Sequence, residues 1–116
     1  LTLFGHGTET RDFIYVKDAA QAIVTVLESG PMTGEVYNVA SGRAYTTLEV
    51  AQTIADAMHL DPEISFTGQS RAGDPDKWLA DMDKIRRIGF EPQTDFVRGI
   101  QETVNWYTSD IQGVDT

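Results

Sequence analysis

Three charged side chains in this sequence have the type and setting to hold a phosphorylated ligand: Arg11, Arg71 and Asp74. Arg11 follows a glycine-containing turn, Gly5-His6-Gly7, and stands just before an extended apolar run, where a loop can aim it into a cleft. A guanidinium presents a planar fork of donors that meets two phosphate oxygens at once. The competing reading is a surface ion pair with Asp12 or Asp18, the fate of most isolated arginines. Arg71 and Asp74 lie three residues apart in an aperiodic stretch. A carboxylate accepts two hydrogen bonds from a diol, and Gly73 lets backbone approach a ligand closely. The same Arg-x-Gly-Asp-Pro composition also makes an ordinary exposed turn. Phe4, at the end of a strand, offers either a stacking face for a nucleobase or a core side chain.

Other chemistry finds little support. His6 and His59 are far apart and show no metal-ligand spacing, so no metal site is expected. Lys84, Arg86 and Arg87 form a basic run that reads as a solvated face. A dinucleotide cradle needs a glycine-rich strand-turn-helix, and Gly5-His6-Gly7 is followed by neither a third glycine nor a helix. Asp12 and Asp18 read as a loop-fixing carboxylate and a helix cap rather than as catalytic acids.

These residues must be positioned by one small domain. The chain has 116 residues, 41% of them hydrophobic, enough for a core but marginal beside a full enzyme. A net charge of −9 sets the chain against nucleic acid, so an anionic ligand needs a local arginine pocket. Absence of cysteine excludes disulfides and thiolate metal sites and fits a reducing, cytoplasmic setting. No apolar run approaches the ~18 residues of a membrane span. Leu1, not Met, is the start expected of a truncated or processed chain.

The periodicities predict an α/β domain with a small sheet and about four helices. Residues 1–4, 13–16, 35–40 and 64–66 read as strands. Asp18 is expected to cap a helix running to about Glu28, with Ala19, Ala20, Ile23, Val24 and Leu27 facing inward. Thr46 with Glu49 forms a capping box for a second helix carrying Leu48, Ala51, Ile54, Ala55 and Met58. Residues 68–80 are a loop of a length that is usually functional or disordered. Asp81 caps a short basic helix closed by Gly89. Thr94 caps the last helix, whose inner stripe is Phe96, Val97, Ile100, Val104 and Tyr107. Residues 1–110 are taken as the domain and 111–116 as a frayed tail.

Three motifs then occur in a telling order: Arg11-Asp12-Phe13-Ile14-Tyr15-Val16-Lys17-Asp18, Tyr37-Asn38-Val39-Ala40-Ser41-Gly42, and Arg71-Ala72-Gly73-Asp74. Together they resemble the substrate-binding C-terminal portion of the NAD-dependent nucleotide-sugar epimerases and dehydratases, the extended short-chain dehydrogenase/reductases. The resemblance runs from Leu1 to about Tyr107. It implies Arg11 and Arg71 on a substrate diphosphate, Asp74 on ribose hydroxyls and Phe4 near the base. It also implies Tyr37, Asn38, Ser41 and Gly42 as mainly structural. Trp78 and Trp106 read as packing residues, with Trp78 alternatively lining the sugar pocket.

The family's catalytic Tyr-x-x-x-Lys is absent: none of the four tyrosines has a lysine four residues on. No catalytic residue and no bound cofactor are therefore expected in this chain, NAD belonging to a Rossmann domain supplied in cis or in trans. The expected ligand is a nucleoside-diphosphate sugar. Without its partner domain the chain should expose an apolar face and strand edges near Val36–Val39, and should cover them by self-association as a dimer. A free-standing binding module and a non-binding relic are the alternative functions.

Overall fold

The strongest local signal, Thr46 followed by Glu49, organises the middle of the chain. The computed structural model, which describes residues 1–112, shows both halves of the capping box. Glu49 N–H donates to Thr46 Oγ1 at 3.1 Å, and Thr46 N–H donates to Glu49 Oε2 at 2.7 Å. Two orphan amides are thereby satisfied at one helix start. The helix they open, α2 (Thr47–Ala57), buries Ala51 and Ala55.

The elements run β1 (Thr2–Leu3), β2 (Thr10–Asp12), α1 (Val16–Ser29), β3 (Ala44–Thr46), α2, β4 (Ser65–Phe66), α3 (Asp83–Arg86) and α4 (Phe96–Gln112). They form an α/β fold with four helices and two small sheets. β1 pairs in parallel with β4, Leu3 opposite Phe66. β2 pairs antiparallel with β3, Arg11 opposite Tyr45. The core is small: Ala22, Ala40, Met82, Ile85 and Phe90, with Ile14, Val26 and Tyr37 packed around it. A radius of gyration of 17.0 Å exceeds the roughly 13–14 Å of a compact chain this long. The chain is a broad slab with much apolar surface uncovered.

Several sequence expectations are corrected. The second strand lies at Thr10–Asp12, not at 13–16. Tyr15 keeps an extended backbone but acts as the N-cap position of α1, so its neighbours pair with nothing. Asp18 does not cap α1 and sits inside its first turn, buried. Its carboxylate accepts from the amides of Gln93 and Thr94 at 3.2 and 2.9 Å, tying α1 to the approach of α4. At the start of α4 the capping side chain is Asp95, whose Oδ1 accepts from Arg98 N–H at 3.0 Å, rather than Thr94. Asn38, read as structural, donates its Nδ2–H to the Asp81 carbonyl at 3.3 Å.

The face of α1 is also reversed. Ala22 is the buried residue, whereas Ile23 and Leu27 are each 63% exposed and Val24 is 41% exposed. On α4, Val97 and Tyr107 are exposed although the period placed them inward. Residues 35–40 form no strand: their contacts with the 81–84 segment run through side chains, Asn38 to the Asp81 carbonyl and Glu35 to Lys84, and not through a backbone ladder. α4 continues through Gln112, two residues into the expected tail, and 113–116 lie outside the described residues.

Candidate functional site

Phe4, Arg11, Arg71 and Asp74, spread over 70 residues of sequence, line one small pocket of about 80 Å³ with Gly5, Thr47, Ser70, Pro75 and two further carboxylates, Glu9 and Asp76. β1 delivers Phe4 at its end, β2 carries Arg11, and the 68–79 loop brings Arg71 and Asp74 across. The return limb of that loop is stitched to β2: Thr10 N–H donates to the Asp76 carbonyl at 2.9 Å, and Trp78 N–H to the Thr10 carbonyl at 3.1 Å.

Neither arginine is held by a carboxylate. Arg11 Nη1 donates to the carbonyls of Thr10 and Pro75, each at 2.8 Å, and its guanidinium carbon lies 5.9 Å from the centre of the Trp78 ring. Arg71 lies over Phe4 at 5.1 Å. Among the described residues, ion pairs engage Lys17, Lys84, Arg86 and Arg98. The surface pairing of Arg11 with Asp12 or Asp18 does not form. Asp18 is committed to the 93–94 turn. Asp12 is committed too, accepting from Ser41 N–H at 2.8 Å, Ser41 Oγ–H at 2.5 Å, Gly42 N–H at 3.0 Å and Ala80 N–H at 3.3 Å. Asp12 thus fixes the chain behind the pocket, on both the β3 side and the loop side.

Glu9 is a pocket residue that sequence reasoning missed. Its carboxylate accepts from His6 N–H at 2.7 Å and Gly7 N–H at 2.9 Å, which holds it below the usual carboxylate range, the His6 hydrogen bond contributing most. The signal was available: an acid two and three residues beyond turn amides is a local acceptor. Trp78, read as packing or alternatively as lining the sugar pocket, is 61% exposed and stands beside Arg11.

The Gly5–Gly7 turn does not fit a dinucleotide. A pyrophosphate needs free backbone amides at a helix start, but here two of those amides face the Glu9 carboxylate. A Cβ on Gly7, at φ +83°, would stand 2.5 Å from the Phe66 ring, so side chain already fills that space.

A far larger cavity, about 1020 Å³, opens elsewhere between the β2–α1 junction and α4. Phe13, Tyr45, Phe96 and Trp106 supply its apolar wall. Of its polar groups, Glu102 accepts from Tyr15 Oη–H at 2.8 Å, Lys17 at 3.1 Å and the neighbouring Arg98 at 3.1 Å, whereas the Arg43 guanidinium has no hydrogen-bond partner among the described residues. The small pocket brings two guanidiniums that enter no ion pair among the described residues together with the carboxylates of Glu9, Asp74 and Asp76. Size alone does not make the larger one a site.

Comparison with known proteins agrees on one family. The model of the GDP-mannose 4,6 dehydratase family matches residues 1–103. The dTDP-glucose 4,6-dehydratase 1 of Escherichia coli (strain K12) is 35% identical over 123 residues, covering 99% of this chain and 34% of that protein. Among solved structures, a UDP-glucose 4-epimerase from Thermotoga maritima with UDP-glucose superposes with a TM-score of 0.85 at 28% identity, over 96% of this chain and 35% of its own. A dTDP-glucose 4,6-dehydratase from Bacillus anthracis, in complex with NAD, gives 0.82 at 31% identity, over 97% and 35%. The chain spans about a third of the length of the curated relatives it matches.

Proposed function

This chain belongs to the GDP-mannose 4,6 dehydratase family, among the NAD-dependent nucleotide-sugar epimerases and dehydratases, and we propose that it binds the nucleoside diphosphate of a sugar substrate for such an enzyme. Arg11 and Arg71 clamp the diphosphate, Asp74 accepts from the ribose hydroxyls, and Phe4 stacks on the base. One observation carries this reading: two arginines without carboxylate partners line a common pocket in a chain of net charge −9. The two guanidiniums keep donors available for phosphate oxygens beside the pocket carboxylates Glu9, Asp74 and Asp76.

Catalysis is assigned to residues outside this chain. In the complete enzyme NAD stores the hydride, and its Rossmann domain, in cis or in trans, also supplies the proton-transferring tyrosine. The role of residues 1–110 is binding and orientation, which by itself lowers a barrier only when the reacting groups are present. As an isolated module the chain binds without turnover. Its affinity is below that of the whole enzyme, because part of the cleft wall is missing.

Calorimetric titration with UDP-glucose and dTDP-glucose, alongside an Arg11→Ala, Arg71→Ala double variant, tests this. Saturable binding abolished in the double variant is the expected result. No heat and no thermal stabilisation at millimolar ligand would show that the site does not operate without its partner domain.

A second observation favours a docking role. The outer face of α1, with Ile23 and Leu27, together with the unpaired stretch containing Val36 and Val39, is apolar and uncovered. This surface receives the cofactor domain in the complete family architecture and a second copy when the chain is alone.

A further inference from the structure

The two pocket arginines each lie against an aromatic face and neither enters an ion pair among the described residues, and Arg11 is held by backbone carbonyls as well. Arg71 lies on Phe4. Arg11 is fixed at three points. Nη1 holds the carbonyls of Thr10 and Pro75, and the guanidinium faces the indole of Trp78. All three belong to the seam where the loop's return limb lies along β2, with Thr10 opposite Lys77 in a parallel bridge. Trp78 is brought there by its own amide, bonded to the Thr10 carbonyl. Its indole is not packed in the core, being 61% exposed. A large apolar ring left in solvent beside a cation is spent on the cation.

Resting on the pocket reading above, we propose that Trp78 is a positioning residue for Arg11. Its indole face holds the guanidinium toward the ligand phosphates while leaving it without a neutralising carboxylate. The physical advantage is specific. A carboxylate in that place would orient Arg11 equally well but would pair with its charge and add to the repulsion from the pocket's Glu9, Asp74 and Asp76. An aromatic face attracts a cation through its quadrupole and carries no net charge. Two of the five guanidinium N–H donors at most are taken up by backbone, so a bidentate edge remains for phosphate oxygens.

The experiment is a double-substitution cycle read by titration with UDP and, in parallel, dTDP. Trp78→Ala weakens binding about two- to five-fold, the size of an exposed cation–π contact. Trp78→Phe keeps the affinity, while Trp78→Leu, similar in apolar character but without a π face, loses as much as alanine. In the Arg11→Ala background, Trp78→Ala has no further effect, an outcome that a merely structural tryptophan would not give. Side-chain NMR supplies an arm independent of ligand: the Arg11 Nε–Hε signal is shifted by the indole ring current and returns to its free position in Trp78→Ala. An unshifted Arg11 signal, or equal losses in both backgrounds, overturns the role of Trp78 and leaves the pocket standing. Absence of any nucleotide binding by the unaltered chain overturns the pocket reading, and the role of Trp78 with it.

Discussion

The guanidinium carbon of Arg71 lies 5.1 Å from the centre of the Phe4 ring, so the ring face proposed for a nucleobase is shared with a cation. Phe4 is 46% exposed and contributes little to the core. Phe4→Ala is therefore expected to spare the fold and to weaken nucleotide binding by about 1–3 kcal/mol, the usual range of a base–aromatic stack. Phe4→Trp keeps the affinity. Because stacking is tolerant of base identity, UDP and dTDP should lose equally in Phe4→Ala. A loss confined to one base, measured by titration, would remove Phe4 as a general platform.

Asp18 shows how a buried charge is made tolerable. Its carboxylate is 6% exposed and carries two amide hydrogen bonds from Gln93 and Thr94, which fix the approach to α4. Asp18→Ala leaves both amides without a partner inside the protein, at a cost of about 1–3 kcal/mol. Asp18→Asn presents an amide donor where at least one donor already points, so only partial retention is expected. Chemical denaturation reads both. A midpoint for Asp18→Ala equal to that of the unaltered chain would show that the 93–94 turn is held by other contacts.

Gly7 lies at φ +83°, and a Cβ there would overlap the Phe66 ring at 2.5 Å. Any L side chain meets the left-handed backbone penalty, about 1–2 kcal/mol, and must also displace a β4 aromatic. Gly7→Ala should lower the thermal midpoint and weaken the β1–β4 pairing that carries Phe4. Gly73, also left-handed at φ +90° but with open space around it, should pay the backbone penalty alone. The difference between the two glycines is the measured quantity, and equal losses would mean that Phe66 moves aside freely.

Acid should destabilise the fold through carboxylates that are hydrogen-bonded in the native state. Glu102 is held below the usual range by the Tyr15 hydroxyl first, then Lys17 and Arg98. Glu49 is lowered by the Thr46 amide and hydroxyl, and Glu91 by Arg86. Each titrates lower in the fold than in the unfolded chain, where the value is 4.5. Their contribution is complete above that value and disappears as pH falls through the folded one. Lys17 has the opposite sense: raised by its hydrogen bond to Glu102, it contributes below 10.5 and is lost as pH rises through its folded value. Glu102→Gln should lower the denaturation midpoint near neutrality and leave it unchanged well below the carboxylate range. A loss of the same size at both ends would mean that packing, not charge, is what Glu102 supplies.

What could be read from the sequence follows from how far each interaction reaches. The Thr46–Glu49 box spans three residues and formed as read. The Thr94–Asp95 choice was missed because both are good caps, and only the geometry of the 93–94 turn, already held by Asp18, decides between them. Motif order named Phe4, Arg11, Arg71 and Asp74, but their convergence on one pocket was not legible, since no local rule links position 4 to position 71. The role of Trp78 stayed hidden because an indole near an arginine-bearing strand is indistinguishable, in one dimension, from an indole in a core. The inward face of α1 and the strand at 35–40 failed for a shared reason. Both were read from periodicity, which reports that a surface is apolar without naming its neighbour.

That uncovered surface carries the last expectation. Ile23 and Leu27 sit one turn apart on the solvent side of α1, both 63% exposed, and Val36 is 78% exposed in a stretch with no strand partner. Apolar surface removed from water is stabilising by about 25 cal/mol per Å², and an extended segment with free amides and carbonyls is a template for pairing. The isolated chain should therefore self-associate at tens of micromolar, as read by light scattering or sedimentation. Ile23→Glu with Leu27→Glu places charges on the exposed face without touching the buried Ala22, so helix content should hold while the mass falls to that of the monomer. The same pair of substitutions should leave the arginine pocket intact, since α1 contributes no residue to it. A strictly monomeric unaltered chain would remove the second copy as the occupant and leave the face to the cofactor domain alone.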